Sequence, residues 1–366
     1  MLAVSMNSRE VLASTWPESS MNKLAENEKK LTPFMLLGNY LNKDVPLKSI
    51  EDWLKPEFKY LDEISLATYL RQRGASAESI RIIGADNLSR DIETASALEF
   101  IRKRFYYRWA AGQSEQGGII YVKDGTSALT NAMAASLKKP VLVDKNVHNI
   151  NATAKRVTVE CKDGTTISAR ACLSTIPLSV MRQLKIVAPA TAIQRAAWRD
   201  IPYSDLLLVY MEVLDPFWKI DGLTPDTWTD GPIKRILHLS GGNQGNNQGN
   251  GNLMVFINGS GLDRYRKLSE KEIGSYVQNE FTRIRPAAKG RVRVTKVFDW
   301  GRYPFAQGYV GYYLQGQVGR FNDVLSQPAG ALFFAGEHCG RLHVGMEAAC
   351  ESGEAAAVKM LAALDQ

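Results

Sequence analysis

Apolar residues recur along this chain with two periods, and the change from one to the other marks its parts. Through residues 1–114 the period is mostly helical. Residues 51–54 and 65–74 read as short helices, the second closed by Gly74 as a C-cap, and Ser76 offers an N-cap to the helix formers behind it. Ala97, Leu98, Ile101 and Phe105 share one face of a helix expected over 93–107. This block is built for packing, and nothing in it has the spacing of a catalytic motif.

Strand-like runs begin near residue 115. A strand at 119–122 lies between turns at Gly117-Gly118 and Asp124-Gly125, followed by an Ala-rich helix over 127–137. Short strands are expected at 141–143 and 147–150, and strands at 156–161 and 166–171 flank Asp163-Gly164, a hairpin signal. The apolar run 171–177 is a further strand, stopped by Pro177. Between 187 and 299 come strands at 206–213, 236–239 and 253–258, an amphipathic helix over 269–284 carrying Ile273, Val277, Phe281 and Ile284, and a strand at 292–300. The Gly/Asn/Gln stretch at 241–252 has no GK[ST] ending and no strand-to-helix context, so it is a loop rather than a phosphate cradle.

The chain closes on a buried strand at 331–335, then Gly336, Glu337, a loop with His338, Cys339, Arg341 and His343, and a helix from Gly345. Met346, Ala349, Cys350, Gly353, Ala356, Ala357, Met360, Leu361 and Leu364 recur there as one apolar stripe. Such a strand, carboxylate and helix N-terminus can present donors and acceptors to a ligand, and the same geometry also describes an ordinary βα unit.

Composition narrows the classes. The 366 residues, 45% hydrophobic and 23% charged, suffice for two domains. The net charge of +7 is scattered, without a basic run, which argues against nucleic acid. The four cysteines form no C-x-x-C pair and show no metal spacing, so they are read as reduced, no metal is expected, and the compartment as cytoplasmic. No run reaches the length of a membrane span, and the first residues lack a signal peptide's pattern.

The residues from Phe333-Phe334-Ala335-Gly336-Glu337 to Gly345-Met346-Glu347-Ala348-Ala349-Cys350-Glu351-Ser352-Gly353-Glu354 resemble the C-terminal signature of the flavin-containing amine oxidase family. That family includes monoamine, polyamine and L-amino-acid oxidases. Asp163-Gly164, Ser174-Thr175-Ile176-Pro177, Asp215-Pro216-Phe217-Trp218, and Trp300 with Gly308-Tyr309 follow in the family's order, and the likeness covers roughly residues 60–366.

The resemblance implies an FAD-dependent oxidase. The Val147 backbone would meet the adenine end of FAD, and Gly336 and Glu337 its pyrophosphate–ribityl part. The helix start, with Gly345, Met346 and Ala349, would face the flavin pyrimidine edge, where its dipole stabilises negative charge. Trp300 would pack near the isoalloxazine, and Tyr309 would wall the substrate amine. The plain alternatives are a core valine, packing aromatics and a surface carboxylate.

Departures qualify the likeness. Leu208 stands where the family carries a lysine holding a water, and Gly345 where a second aromatic wall is common. Phe305 replaces a tyrosine that helps hold substrate carboxylate in snake-type L-amino-acid oxidases. Gly308 replaces the cysteine that bonds flavin in mammalian monoamine oxidases, implying non-covalent FAD. His343 reads either as a pocket residue or as a loop histidine with structural bonds. No G-x-G-x-x-G turn follows any strand. A missing N-terminal segment or a partner subunit is expected to supply it, the alternative being a chain that no longer binds FAD.

The expected fold is mixed α/β, an FAD-binding doubly wound remnant (115–186 and 300–366) interleaved with a substrate domain (1–114 and 187–299). The expected function is oxidation of a C–N bond of an amine or L-amino acid, with O2 as acceptor. The alternatives are a desaturase or dehydrogenase acting on C–C bonds, and a non-catalytic subunit completing a partner flavoprotein.

Overall fold

A computed structural model describes residues 3–6, 9–43, 45–113, 122, 124–239 and 251–365. Most of the strand expected at 119–122 and nearly all of the 241–252 loop lie outside the described residues. The fold is mixed α/β, as expected, and the chain divides into two compact units that alternate along it. The first unit takes Met1–Pro46, Lys55–Ile101 and Ile201–Val318; the second takes Leu47–Leu54, Arg102–Asp200 and Gly319–Gln366.

A seven-stranded sheet organises the first unit. Its order is Val292–Asp299, Leu206–Val213, Asn252–Asn258, Arg235–Leu239, Thr227–Thr229, Ala3–Met6, Arg9–Leu12. Alternation sends Leu207, Val209, Met211, Leu253, Val255 and Ile257 to one face. They form a core there with Ile273, Val277, Phe281 and Ile284 of the helix Glu270–Ile284. Ser269 and Glu272 close a capping box at that helix's start. At Gly274 an added Cβ would lie 3.2 Å from Val294, so glycine lets helix and strand approach.

Two expectations for the N-terminal block are corrected. It is not helical throughout: Ala3–Met6 is a buried strand, parallel to Thr227–Thr229 and antiparallel to Arg9–Leu12. Four residues carry no readable period, and the pairing comes from a strand more than 200 positions away. The helix expected at 93–107 spans Ala97–Gly112, because Ala95 bridges Leu314 and the Ser96 amide donates to Tyr313 O at 2.9 Å. Ser76 caps as read, its side chain accepting from Ser79 N, and Ser65 does the same for Leu66–Gln72 by accepting from Thr68 N.

The second unit holds a four-stranded sheet in the order Thr166–Ala169, Val157–Cys161, Val147–Ala152, Lys185–Val187. Its hairpin turns at Asp163-Gly164, with Gly164 at φ +86°. A parallel pair, Cys172–Ser174 with Leu332–Phe334, leads to the closing helix Gly345–Leu364. No strand forms at 141–143, where Val143 is 71% exposed; a strand exists only through pairing, and none is offered among the described residues.

The stripe on the closing helix is also corrected. Its buried positions are Ala348, Ser352 and Ala356, whereas Met346 is 57% and Leu361 60% exposed. Close approach selects small side chains: a Cβ on Gly340 would lie 2.4 Å from the Ala348 Cβ.

Candidate active site

The residues singled out from the sequence fall into both units. In the second unit the parallel strands Cys172–Ser174 and Leu332–Phe334 end side by side, with Ala335 N donating to Ser174 O at 3.0 Å. Gly336 follows at φ +127°, and a Cβ there would stand 2.9 Å from His338 Cε1. Only glycine fits this corner. Ser352, one turn beyond Ala349 in the closing helix, ties the corner down: its Oγ accepts from Gly336 N and donates to Gly336 O, both at 2.9 Å.

Three features fit this corner to an electron-rich ligand. The Ser174 hydroxyl is buried at the strand end without a partner. The Gly336 backbone is free of any Cβ. The closing helix starts at Gly345, φ +65°, with no side-chain cap on its first amides and with Met346 exposed beside them. Glu337 is half-buried in the short turn Glu337–Cys339. Packing around the His338 imidazole pushes its pKa down to about 4, so it is neutral at physiological pH. Val147 begins its strand at a bulge, where the register against Cys161 and Glu160 shifts.

His343 makes structural bonds. Its Nδ1 lies 3.1 Å from Glu351 Oε2, and the Arg341, Leu342 and His343 amides all donate to the same carboxylate. Burial opposes ionisation of Glu351, but the bonds from His343 and these amides hold its pKa below the ordinary value. Tyr106 stands edge-on to the His343 ring at 5.8 Å, and Arg102, stacked 3.9 Å over Trp53, donates to His343 O at 2.8 Å. Sequence reading missed Glu351, Ser352, Arg102 and Trp53. Glu351 and Ser352 lie inside the signature run, and only their contacts reveal the loop they hold.

In the first unit, Trp300 N donates to Leu206 O, Gly308 N to Trp300 O and Tyr309 N to Ser204 O, which folds the 300–309 loop over the strand starts. Gly308 sits at φ +148°, and a Cβ there would lie 2.8 Å from Tyr203 Cβ. Register partners form a row across the sheet on the face away from the helix: Phe298, Leu208, Phe256, Arg235, Trp228. Trp300 meets Phe298 edge-on at 4.9 Å, and Tyr309 meets Phe256 at 6.4 Å. Leu208 therefore lies between the rings that Trp300 and Tyr309 touch. Phe305 joins through Tyr303 at 5.9 Å and is 54% exposed.

Paired parallel strands ending at a glycine corner before a long helix form the ligand-presenting end of an α/β cofactor fold. The sequence model of flavin-containing amine oxidoreductases matches residues 12–361, and the chain belongs to that family. It is 24% identical over 242 residues to an L-amino acid oxidase of Cerastes cerastes, covering 64% of this chain and 46% of that protein. To a putative L-amino-acid oxidase of Bacillus subtilis it is 25% identical over 270 residues, covering 70% and 54%. The chain thus spans about half the length of these relatives. A putrescine oxidase with redesigned cofactor binding aligns at TM-score 0.76 and 16% identity, over 99% of this chain and 80% of that one. A cyclohexylamine oxidase from Brevibacterium oxydans aligns at 0.69 and 18%, over 92% and 76%. At these identities the likeness is one of fold.

Proposed function

We propose that this chain forms the larger part of an FAD-dependent oxidoreductase that oxidises a C–N bond of an amine or L-amino acid. The Gly336 corner carries the reading, since its bare backbone, the unpartnered Ser174 hydroxyl and the uncapped helix start suit an electron-rich cofactor. The second unit is the cofactor side: the Val147 backbone for the adenine end, Gly336 and Glu337 for the pyrophosphate–ribityl part, and Gly345, Met346 and Ala349 for the pyrimidine edge. His343 keeps the loop before that helix in place. The first unit is the substrate side, with Trp300 and Tyr309 as aromatic walls and Phe305 and Leu208 as lining. FAD held there would supply the acceptor for the substrate's hydride and a path for its electrons to O2, leaving an imine to hydrolyse. Gly308 offers no thiol, so the cofactor is held non-covalently.

A dinucleotide-binding turn from an additional N-terminal segment or a partner subunit completes the cofactor site. Apolar side chains on the second unit support this: Leu137, Leu142, Val143, Met346, Val358 and Leu361 are all exposed. The four free cysteines suit a reducing cytoplasm, and no helix among the described residues is long and apolar enough to cross a membrane.

The test is a flavin spectrum of the purified protein with FAD, followed by peroxide release from a panel of amines and amino acids. Yellow protein whose flavin is freed by acid, with peroxide formed, is the expected result; folded protein that stays colourless overturns it for this chain. Leu208 favours a second reading, oxidation of a C–C bond with an acceptor other than O2, because no cation stands at that position. Turnover with an artificial acceptor but without peroxide would select it.

A further inference from the structure

Lys234 is the only buried lysine among the described residues, 7% exposed. It closes the loop between the strands Thr227–Thr229 and Arg235–Leu239, its carbonyl accepting from Thr229 N at 2.7 Å. The backbone there is at φ +51°, a left-handed conformation that persists in a residue with a long side chain only where its surroundings impose it. The side chain runs over Gly261: an added Cβ there would stand 2.9 Å from Lys234 Cε and 3.7 Å from Nζ. Among the described residues the Lys234 amine makes no hydrogen bond and no ion pair.

The carboxylates whose charge reaches this amine are engaged elsewhere. Asp230 is paired with Arg81 at 3.1 Å, and Arg81 is held in turn by Glu78. Asp86 Oδ2 lies 2.9 Å from Arg235 Nε and accepts from Trp228 Nε1 at 3.1 Å. Arg81 and Arg264, the latter donating to the Tyr276 hydroxyl, add positive charge around Lys234. An ammonium here is desolvated, lacks a counter-ion of its own and lies in the field of two guanidiniums, and each of these favours the free amine. Burial is the largest effect and outweighs the attraction of Asp86, so the Lys234 pKa falls below the ordinary lysine value.

We propose that Lys234 is a nucleophilic amine that condenses with a small uncharged aldehyde. The amine nitrogen attacks the carbonyl carbon, both N–H protons leave with the carbonyl oxygen as water, and a C=N bond remains; nothing is oxidised or reduced. An uncharged reagent is selected because a charged one would have to shed its hydration to reach a buried nitrogen. The proposal goes beyond the oxidase reading and needs no flavin. Where that reading holds, oxidation of a primary amine and hydrolysis of its imine release an aldehyde of this class.

The plain alternative is a structural lysine, its stem filling the space beside Gly261 and its amine protonated like any other. Limiting propanal with cyanoborohydride, which fixes the imine as a secondary amine, separates the two when peptide masses are read from the full chain. At pH 7 Lys234 should be labelled about tenfold or more faster than the exposed Lys267 and Lys271, in proportion to its larger free-amine fraction. Its rate should also level off at a lower pH than theirs. At low ionic strength Arg264→Gln removes a cation and should slow Lys234 about twofold or more, whereas Asp86→Asn removes an anion and should quicken it. Lys234→Arg should erase that one label and leave the others. Labelling no faster than at Lys267 and Lys271, a pH profile superimposed on theirs, or a rate indifferent to Arg264→Gln would each overturn the proposal. Where Asp86→Asn fails to fold, the wild type and Arg264→Gln decide. Colourless protein labelled at Lys234 sinks the oxidase reading alone, and an active oxidase whose Lys234 stays unlabelled sinks this one alone.

Discussion

Arg285 is fully buried, and its charge is met from one helical turn and two strands. It bonds Asp221 at 2.9 and 3.0 Å, Thr227 Oγ1 at 2.9 Å, and lies 3.3 Å from Glu10. Burial outweighs Arg285's attraction at Glu10, and with Asp221 adding repulsion its pKa rises from 4.5 to about 7. A carboxyl with a raised folded pKa binds its proton more tightly in the native state. Stability therefore falls as pH rises from about 4.5 to about 7. Glu10→Gln should flatten that slope in urea unfolding; a slope identical to wild type would count against the assignment. His338 works with the opposite sign: its pKa is lowered from 6.5 to about 4, so stability falls as pH drops through that window. Its imidazole NMR shift should stay constant down to about pH 5, and a normal titration near 6.5 would refute the burial described here. At Gly308, where both φ and Tyr203 forbid a Cβ, Gly308→Ala should cost about 1–3 kcal/mol in thermal unfolding.

Helix Glu270–Ile284 and helix Gly345–Leu364 differ in how they pack. The first buries Ile273, Val277 and Phe281 on the sheet behind a capping box, so Phe281→Ala should cost about 3–5 kcal/mol and Ser269→Ala about 1 kcal/mol by denaturant unfolding. The second packs through Ala348, Ser352 and Ala356 against a glycine-rich loop. Ala348→Leu should therefore destabilise by about 1–3 kcal/mol through overpacking, while Leu361→Lys should change the isolated chain's stability by less than about 0.5 kcal/mol. The reverse ranking would restore the large-residue stripe as the packing face.

At the scale of the molecule, two units are each assembled from three separated stretches, so neither can complete its core from one contiguous segment. Exposed Leu142, Val143, Val358 and Leu361 belong to the second unit, whose parallel pair has only two strands among the described residues. Supplying the expected dinucleotide-binding segment in the same cells should raise soluble yield and lower binding of a hydrophobic dye. Leu361→Lys should then become costly, in contrast to its effect on the chain alone.

What the sequence determined by itself is what short-range physics controls. Ser65 and Ser76 cap helices because their hydroxyls reach amides three residues on. Asp163-Gly164 turns because glycine takes positive φ. Helix 270–284 forms on a 3.6-residue period, and the Gly336–Glu337 corner was legible through the order of its neighbours. Tertiary structure decided the rest. Ala3–Met6 became a strand through Thr227–Thr229, and 141–143 stayed unpaired. The closing helix turned its small residues inward because Gly340 lies against Ala348. Arg235 and Arg285 look alike as letters. In one, every side-chain nitrogen is engaged in a buried network, and the other keeps two nitrogens unbonded beside an aromatic ring; only the positions of partners far along the chain make that difference.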